Sequence, residues 1–459
     1  MTVNHCELPK TAWKKAFPWI VVACGMLFYC FNYFLRVSPS VIQSSLTQAF
    51  HITATQLGTL AGLYYWAYTP MQIPAGMLYD KFGVRFVLCV ASLVAVVGLS
   101  IFIAADEYST AGCGRFLIGL GCAFAYIGTL KIASIWLPSN RFGTVAGLTT
   151  AIGMLSGTLS QTYLAKVIQV AGYREALHVA IFIGILLSAI ILLVVRNKPQ
   201  SLNDGRQATP ITPMSSGQLF SALRIILKNK QMWLIGAIGC LLYLPSSVFL
   251  DLWGMPYLKA VHHITQEQAV AISSCVFYGW IISGPIIGVI SDKFIKRRVL
   301  PLTFTGFFAA LLLCFVFYTP NISIAMLYPI FFAIGFCCGA HSLCFALGKE
   351  NNPIQISGTA VAVTNMFIMI GGAIFQPVVG KLLDFHTMSP NGPDGLPIYA
   401  ASDYTFALSV VPIGVAMGIF LSLFVKETHC QSLATAADEA VFTTIPVIAS
   451  LKTETEAAV

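Results

Sequence analysis

The sequence predicts an all-α integral membrane protein with twelve transmembrane helices in two pseudo-symmetric six-helix bundles. Three observations carry that prediction. First, the 459 residues are 57% hydrophobic and only 10% charged, with a mean hydropathy of +0.79. A soluble domain averages about 25% charged residues, and no water-soluble core could hide so much apolar surface. Second, the apolar residues gather into segments of spanning length, about 20 residues each. Third, one stretch occurs twice. Gly76-Met-Leu-Tyr-Asp80-Lys-Phe-Gly83-Val-Arg85 returns as Gly288-Val-Ile-Ser-Asp292-Lys-Phe-Ile295-Lys-Arg297, displaced by 212 residues. His51-Ile-Thr53 returns as His263-Ile-Thr265 at the same offset. A repeat this long means that the two halves share a plan.

The elements follow in order. Met1 to Ala16 carries Lys10, Lys14 and Lys15 ahead of the first apolar run. That run is too long for a removable signal peptide and reads as a retained first span. The first six spans fall at about 17–42, 55–79, 84–104, 111–136, 142–170 and 176–195. Residues 196–231 form a cytoplasmic linker, first polar and proline-containing, then amphipathic. Leu219, Phe220, Leu223, Ile226 and Leu227 share one helical face, with Arg224, Lys228 and Lys230 away from it, as in a helix lying on a membrane surface. The second six spans fall at about 232–258, 267–291, 299–318, 322–347, 355–384 and 403–425. The expected domains are therefore 1–195, the linker 196–231, 232–426, and a polar cytoplasmic tail over 427–459.

The net charge of +8 does not point to nucleic acid, because the basic residues are not clustered with exposed aromatics. It reflects positive-inside bias. Of the 26 Lys and Arg residues, all but Arg36, Arg115, Lys131, Lys166, Arg174, Lys259 and Lys381 fall in the termini and the even-to-odd connections, so both termini are expected inside. The 13 cysteines lie mostly in apolar segments with no metal-type CxxC spacing and read as small buried hydrophobes. No metal or cofactor is expected. There is no phosphate-binding Gly-x-x-x-x-Gly-Lys-Ser/Thr loop, so this chain does not drive itself with ATP. No nucleophile–base constellation suggests an enzyme.

The pattern Gly-x-x-x-Asp-x-x-Gly-x-Arg between spans two and three resembles the signature loop of the major facilitator superfamily. Gly76, Asp80, Gly83 and Arg85 match it in full; Gly288, Asp292 and Arg297 match in the second copy, with Ile295 in the glycine position. The resemblance implies two bundles that rock about a central site. The seven matching residues are then candidates for a conformational latch. Asp80 and Asp292 sit near C-terminal helix ends, where a negative charge is unfavourable and wants a basic partner or another helix's N-terminus. Asn32-Tyr-Phe-Leu-Arg36 and Arg115-Phe-Leu-Ile-Gly119 resemble the Arg-bearing first and fourth helices of organic-anion carriers in that family. The chain also looks like its bacterial amino-acid and dipeptide carriers. Leu35 and Cys122 stand where the anion–proton symporters hold acidic residues.

Ionisable residues inside a span cost free energy and must face protein or water. Arg36 is the candidate ligand for a solute carboxylate, with Asn32, Tyr29 and Tyr33 within a turn; the alternative is a side chain snorkelling outward. Arg115 is a second candidate, with a structural hydrogen bond as its alternative. Asp251 precedes Leu-Trp253-Gly254-Met-Pro256, a sequence that suggests an interrupted helix. It is a candidate for binding an ammonium pole and for proton coupling, or else an interfacial residue. His341 is the other proton-coupling candidate. The expected function is secondary active transport of a small carboxylated solute (amino acid, short peptide or organic acid) by alternating access. The carrier is expected to be a proton-coupled monomer in a bacterial inner membrane. The alternatives are an exporter of drugs or siderophore-like compounds, and a non-transporting membrane sensor.

Overall fold

The computed structural model describes residues 10–138, 141–197, 216–319, 321–387, 392 and 395–433. Helices α1 (Lys10–Phe50), α2 (Ala54–Phe82) and α3 (Val84–Ala104) are followed by α4 (Tyr108–Cys122) and α5 (Ala125–Trp136), which together make one crossing. Helix α6 (Phe142–Val194) makes two crossings, because Gly172 takes φ +84° and turns the chain. Helix α7 (Ser216–Lys228) precedes α8 (Lys230–Leu244), a π-helical stretch (Pro245–Trp253) and α9 (Gly254–His262). Then come α10 (Gln266–Val289), α11 (Val299–Tyr318), α12 (Ile324–Cys338), α13 (Leu343–Glu350), α14 (Ser357–His386), α15 (Ala401–Leu408) and α16 (Val410–Ser422). Ten stretches are long and apolar enough to cross a membrane. One of them is α6, with its internal turn, and α2 is a 29-residue helix of lower apolarity packed in the same bundle. The described helices are therefore consistent with twelve crossings.

The internal repeat is visible in the turns. His51 and His263 both take left-handed φ, 50° and 53°. Thr53 and Thr265 then cap α2 and α10, each completing a reciprocal capping box with Gln56 or Gln268. The two signature loops differ more. Gly83 takes φ +82°, a conformation that a side chain resists. In the second copy the chain widens into a π-helical turn over Ile290–Ile295, and the positive φ of 52° falls one residue later, on Lys296. Arg298, not Arg297, consequently meets Asp292. Arg298 also binds Glu350 at 2.7 Å. Burial opposes its charge, but these carboxylate bonds outweigh burial and hold the guanidinium above its ordinary range.

The start of α1 and the end of α16 lie on one side of the bundle, termed here the terminal side; α2 and α10 begin on the far side. At the far side the halves meet along α2 and α14. Gly58 and Gly380 let these helices touch backbone to backbone, since a Cβ at either would overlap the carbonyl of Gln376 or Ala54. Asp384 of α14 accepts the Ala54 and Thr55 amides at 3.1 and 2.9 Å and the Thr55 hydroxyl at 2.5 Å. Tyr399 donates to the same carboxylate. Burial and Asp384 both push the Tyr399 hydroxyl above its ordinary range, so it remains a donor at neutral pH. The seam runs as far as Asn365, whose amide donates to Gln72 at 3.0 Å. Toward the terminal side it loosens. A Cβ at Gly76, Gly143, Gly147, Gly284, Gly288 or Gly358 would meet nothing within 4 Å. Spacing alone marks Gly143 with Gly147 and Gly284 with Gly288 as close-packing pairs; here they line open space, while Gly153 and Gly157 abut Tyr29 and Phe277.

The amphipathic helix forms as α7. It buries Leu219, Ala222 and Ile226. Ala222 and Ile226 pack against Met232, Ile356, Ala360 and Val363. Phe220 and Leu227 face outward instead of joining that face. Linker residues 198–215 and the tail beyond Leu433 lie outside the described residues.

Candidate functional site

The centre of the bundle is built on a proline. Pro39 in α1 has no N–H, so the Leu35 carbonyl one turn earlier loses its helical donor, and the ring crowds that turn. The Ser38 hydroxyl, at 2.9 Å, and Arg115 from α4 fill the gap. Arg115 Nη1 donates to the Leu35 carbonyl at 2.6 Å and its Nη2 to the Arg36 carbonyl at 3.0 Å. The side chain of Arg36 points across to the second half. Its Nε donates to Asp251 Oδ2 at 2.9 Å, and its Nη2 donates to the Tyr243 hydroxyl at 2.5 Å and Ser246 Oγ at 3.5 Å. Tyr65 donates to the same Asp251 oxygen. Arg36 and Asp251 are 3% and 1% exposed, so neither snorkels nor lies at the interface.

Asp251 reaches this point because its segment is π-helical. The Gly254 and Pro256 region does not break the helix; the preceding turns widen, a feature frequent at functional sites. Gln161 and Gln376, one from each half, tie this stretch down. Gln161 Nε2 donates to the Leu250 carbonyl at 3.3 Å, and Gln376 Nε2 donates to the Ser247 carbonyl at 2.7 Å. They stand 215 residues apart, the same offset that relates Gly143 to Gly358 and Gly157 to Gly372.

Aromatic rings enclose the pair. The Arg36 guanidinium lies 4.6 Å from the Tyr33 ring centre and 5.6 Å from those of Tyr65 and Tyr243. Tyr64 donates to Asn32 and carries the Arg115 guanidinium 4.9 Å above its ring. Tyr29 packs edge-on against Tyr33 at 5.5 Å. His341 sits in a 3₁₀ turn, its ring 5.0 Å from both Tyr243 and Trp280 and its Nδ1 3.2 Å from the Cys338 carbonyl. Of the neighbouring aromatic residues in α2, Tyr64, Tyr65 and Tyr68 face this centre, while Trp66 is 52% exposed. Arg115 Nε, Asp251 Oδ1, Gln161 Oε1 and Gln376 Oε1 are buried with no partner among the described residues. The central cluster holds two guanidiniums against one carboxylate. No group of metal-ligating side chains occurs among the described residues.

The latch candidates lie apart from this centre. Asp80 pairs with Lys131 of its own half at 2.5 Å. Arg85 Nε donates to the Leu192 carbonyl at 2.7 Å. Asp292 is held by Arg298, again within its own half. Arg297 is exposed. An apolar cavity of about 290 Å³, lined by Leu27, Phe31, Phe34 and Leu187 among others, lies between α1 and α6 and contains no charged residue. Reasoning from sequence missed Tyr243, Ser246, Gln161 and Gln376. The 215-residue glycine offset was the signal for the two glutamines.

A helical bundle that spans a membrane, with a buried ion pair joining its halves, defines a carrier-type membrane protein. The chain belongs to the Major Facilitator Superfamily, whose model matches residues 22–376. A protein of Bacillus subtilis (strain 168), Uncharacterized transporter YybO, is 26% identical over 390 residues, covering 77% of this chain and 84% of the relative. Probable galactarate/D-glucarate transporter GarP of Escherichia coli (strain K12) is 22% identical over 392 residues, covering 77% of this chain and 85% of its own length. The fold matches a crystal structure of a bacterial homolog of the human lysosomal transporter Spinster, in an inward-facing and unoccupied conformation. The TM-score is 0.69 at 15% identity, over 90% of this chain and 96% of that one. These relatives are carriers rather than enzymes, and the chain is a multi-pass membrane transporter.

Proposed function

We propose that the chain imports a small carboxylated solute (amino acid, short peptide or organic acid) by alternating access coupled to proton entry. It acts as a monomer in a bacterial inner membrane, with both termini in the cytoplasm. One observation carries the reading: the buried Arg36–Asp251 pair bridges the halves inside a cluster with one more guanidinium than carboxylates. A buried ion pair is retained at a cost in solvation, and an excess buried cation favours an anionic visitor. When Asp251 accepts a proton, Arg36 loses its counter-charge and its planar fork is free for a solute carboxylate. The proton and the carboxylate enter together and the charge of the site is unchanged. Asp251 Oδ1, without a partner, is the position for that proton. His341 is the second proton candidate, because its ring lies against Tyr243, the hydroxyl partner of Arg36.

The test is uptake into proteoliposomes of labelled L-alanine, L-alanyl-L-alanine, D-glucarate and choline, with and without an inward pH gradient. At least one carboxylate is expected to accumulate only with the gradient, and Arg36→Ala to abolish that uptake. Transport of choline alone, or full uptake by Arg36→Ala, would sink the proposal.

A further inference from the structure

We propose that Arg115 is a positioning residue: its guanidinium replaces the backbone donor that Pro39 removes and so fixes the turn carrying Arg36, instead of binding the solute. Both terminal nitrogens of Arg115 are spent on the Leu35 and Arg36 carbonyls. One of these is the acceptor whose backbone donor Pro39 removes, which the Ser38 hydroxyl reaches as well at 2.9 Å, and the other is its neighbour in the same turn. Bonds from an ionised donor are roughly twice as strong as neutral ones, so the kinked turn is held firmly. Two of the five N–H groups of Arg115 are used in this way, one on each terminal nitrogen, and they turn the end of the guanidinium onto the α1 backbone, while Nε has no partner among the described residues. Tyr64 completes the bracket. It supports the Arg115 guanidinium with its ring and binds Asn32, one turn before Arg36, with its hydroxyl. Gly119, one turn beyond Arg115, lets the α4 backbone abut the Tyr64 backbone. Each contact converges on the backbone beneath Arg36. A small displacement there moves the Arg36 side chain off Asp251 and Tyr243, and displacements of about 1 Å can cost a hundredfold in function.

The uptake arm of the test rests on the reading of Arg36 as the solute ligand; the stability arm does not. Pro39→Ala restores the N–H that the Leu35 carbonyl lacks. In a double-mutant cycle, Arg115→Leu, Pro39→Ala and the double variant are compared by thermal midpoint in detergent without solute. Arg115→Leu is expected to lower the midpoint in the wild-type background by more than about twice its effect in the Pro39→Ala background. Equal drops in both backgrounds overturn the proposal. Should Arg115→Leu fail to fold, Arg115→Gln replaces it in the same cycle. The second readout is KM for whichever of the four labelled solutes the wild type accumulates. Arg115→Leu is expected to raise KM roughly 5- to 30-fold, and Pro39→Ala to recover most of that loss. A double variant whose midpoint is restored while KM stays high would make Arg115 a direct solute ligand and overturn the proposal. If no solute is taken up, the proposed function fails and the midpoint cycle still decides the role of Arg115.

Discussion

Arg36 and Asp251 neutralise one another in a place where neither would be tolerated alone. The distinction between a residue that binds and a residue that holds is made here by backbone atoms. Arg36 and Asp251 were legible as single charges in apolar segments. That they face each other was not, because no spacing rule relates a residue of the first span to one of the seventh. Arg115 was legible only as a second charge, since its partners are main-chain carbonyls exposed by Pro39. Two outcomes follow at this scale. Asp251→Asn cannot change charge with pH; in proteoliposomes it is expected to keep solute exchange but lose gradient-driven accumulation. Retained accumulation would remove Asp251 from coupling. Tyr243→Phe deletes the 2.5 Å acceptor of Arg36. The loss of a charge-assisted bond, about 1.5 kcal/mol, predicts a KM raised roughly tenfold, checked by uptake kinetics.

Among the elements, the two seams between the halves are built differently. The α2–α14 seam carries a carboxylate, Asp384, against the positive end of α2. At the 215-residue offset, α6 has Gln169 instead, so the α6–α10 seam has no counterpart. Asp384→Asn is expected to speed hydrogen exchange at amides 54–58 roughly tenfold or more, from the loss of about 2 kcal/mol of charge-assisted bonding. Unchanged protection at these amides would show that apolar packing alone closes the far side. The helices themselves were legible because apolar length and the 212-residue repeat agree. The shift from Arg297 to Arg298 was not, because a π-helical turn adds a residue without a sequence mark. The π-helical stretch holding Asp251 was anticipated only as an interruption near Gly254 and Pro256.

For the whole molecule, the glycines that meet nothing within 4 Å are the informative ones. Apart from Gly172 and Gly395, which sit in turns, they lie on α2, α6, α10 and α14, the helices that form the seams, toward the terminal side. A large side chain fits there in this conformation and obstructs closure. Gly147→Trp is therefore expected to leave the thermal midpoint within a few degrees of wild type while abolishing uptake. A variant that still transports would place this glycine on the bilayer surface, away from the moving interface. Spacing had marked four of them, Gly143, Gly147, Gly284 and Gly288, for tight packing. Which packing a glycine makes depends on the state of the carrier, and a sequence carries both states at once.

The second half is closed by its last residues. Glu427 accepts the Arg298 and Val299 amides at 2.7 and 3.0 Å at the start of α11. Thr428 donates to Glu350 at 2.5 Å, and the Leu433 amide to the Glu350 carbonyl at 2.8 Å. Glu427 leaves the ribosome more than a hundred positions after the amides it satisfies. At about 5–20 residues per second, α11 waits roughly ten seconds for the carboxylate that caps it. The terminal-side network is thus completed only after all the described helices have been made. A chain cut short before Glu427 leaves the start of α11 without the carboxylate that accepts its first amides.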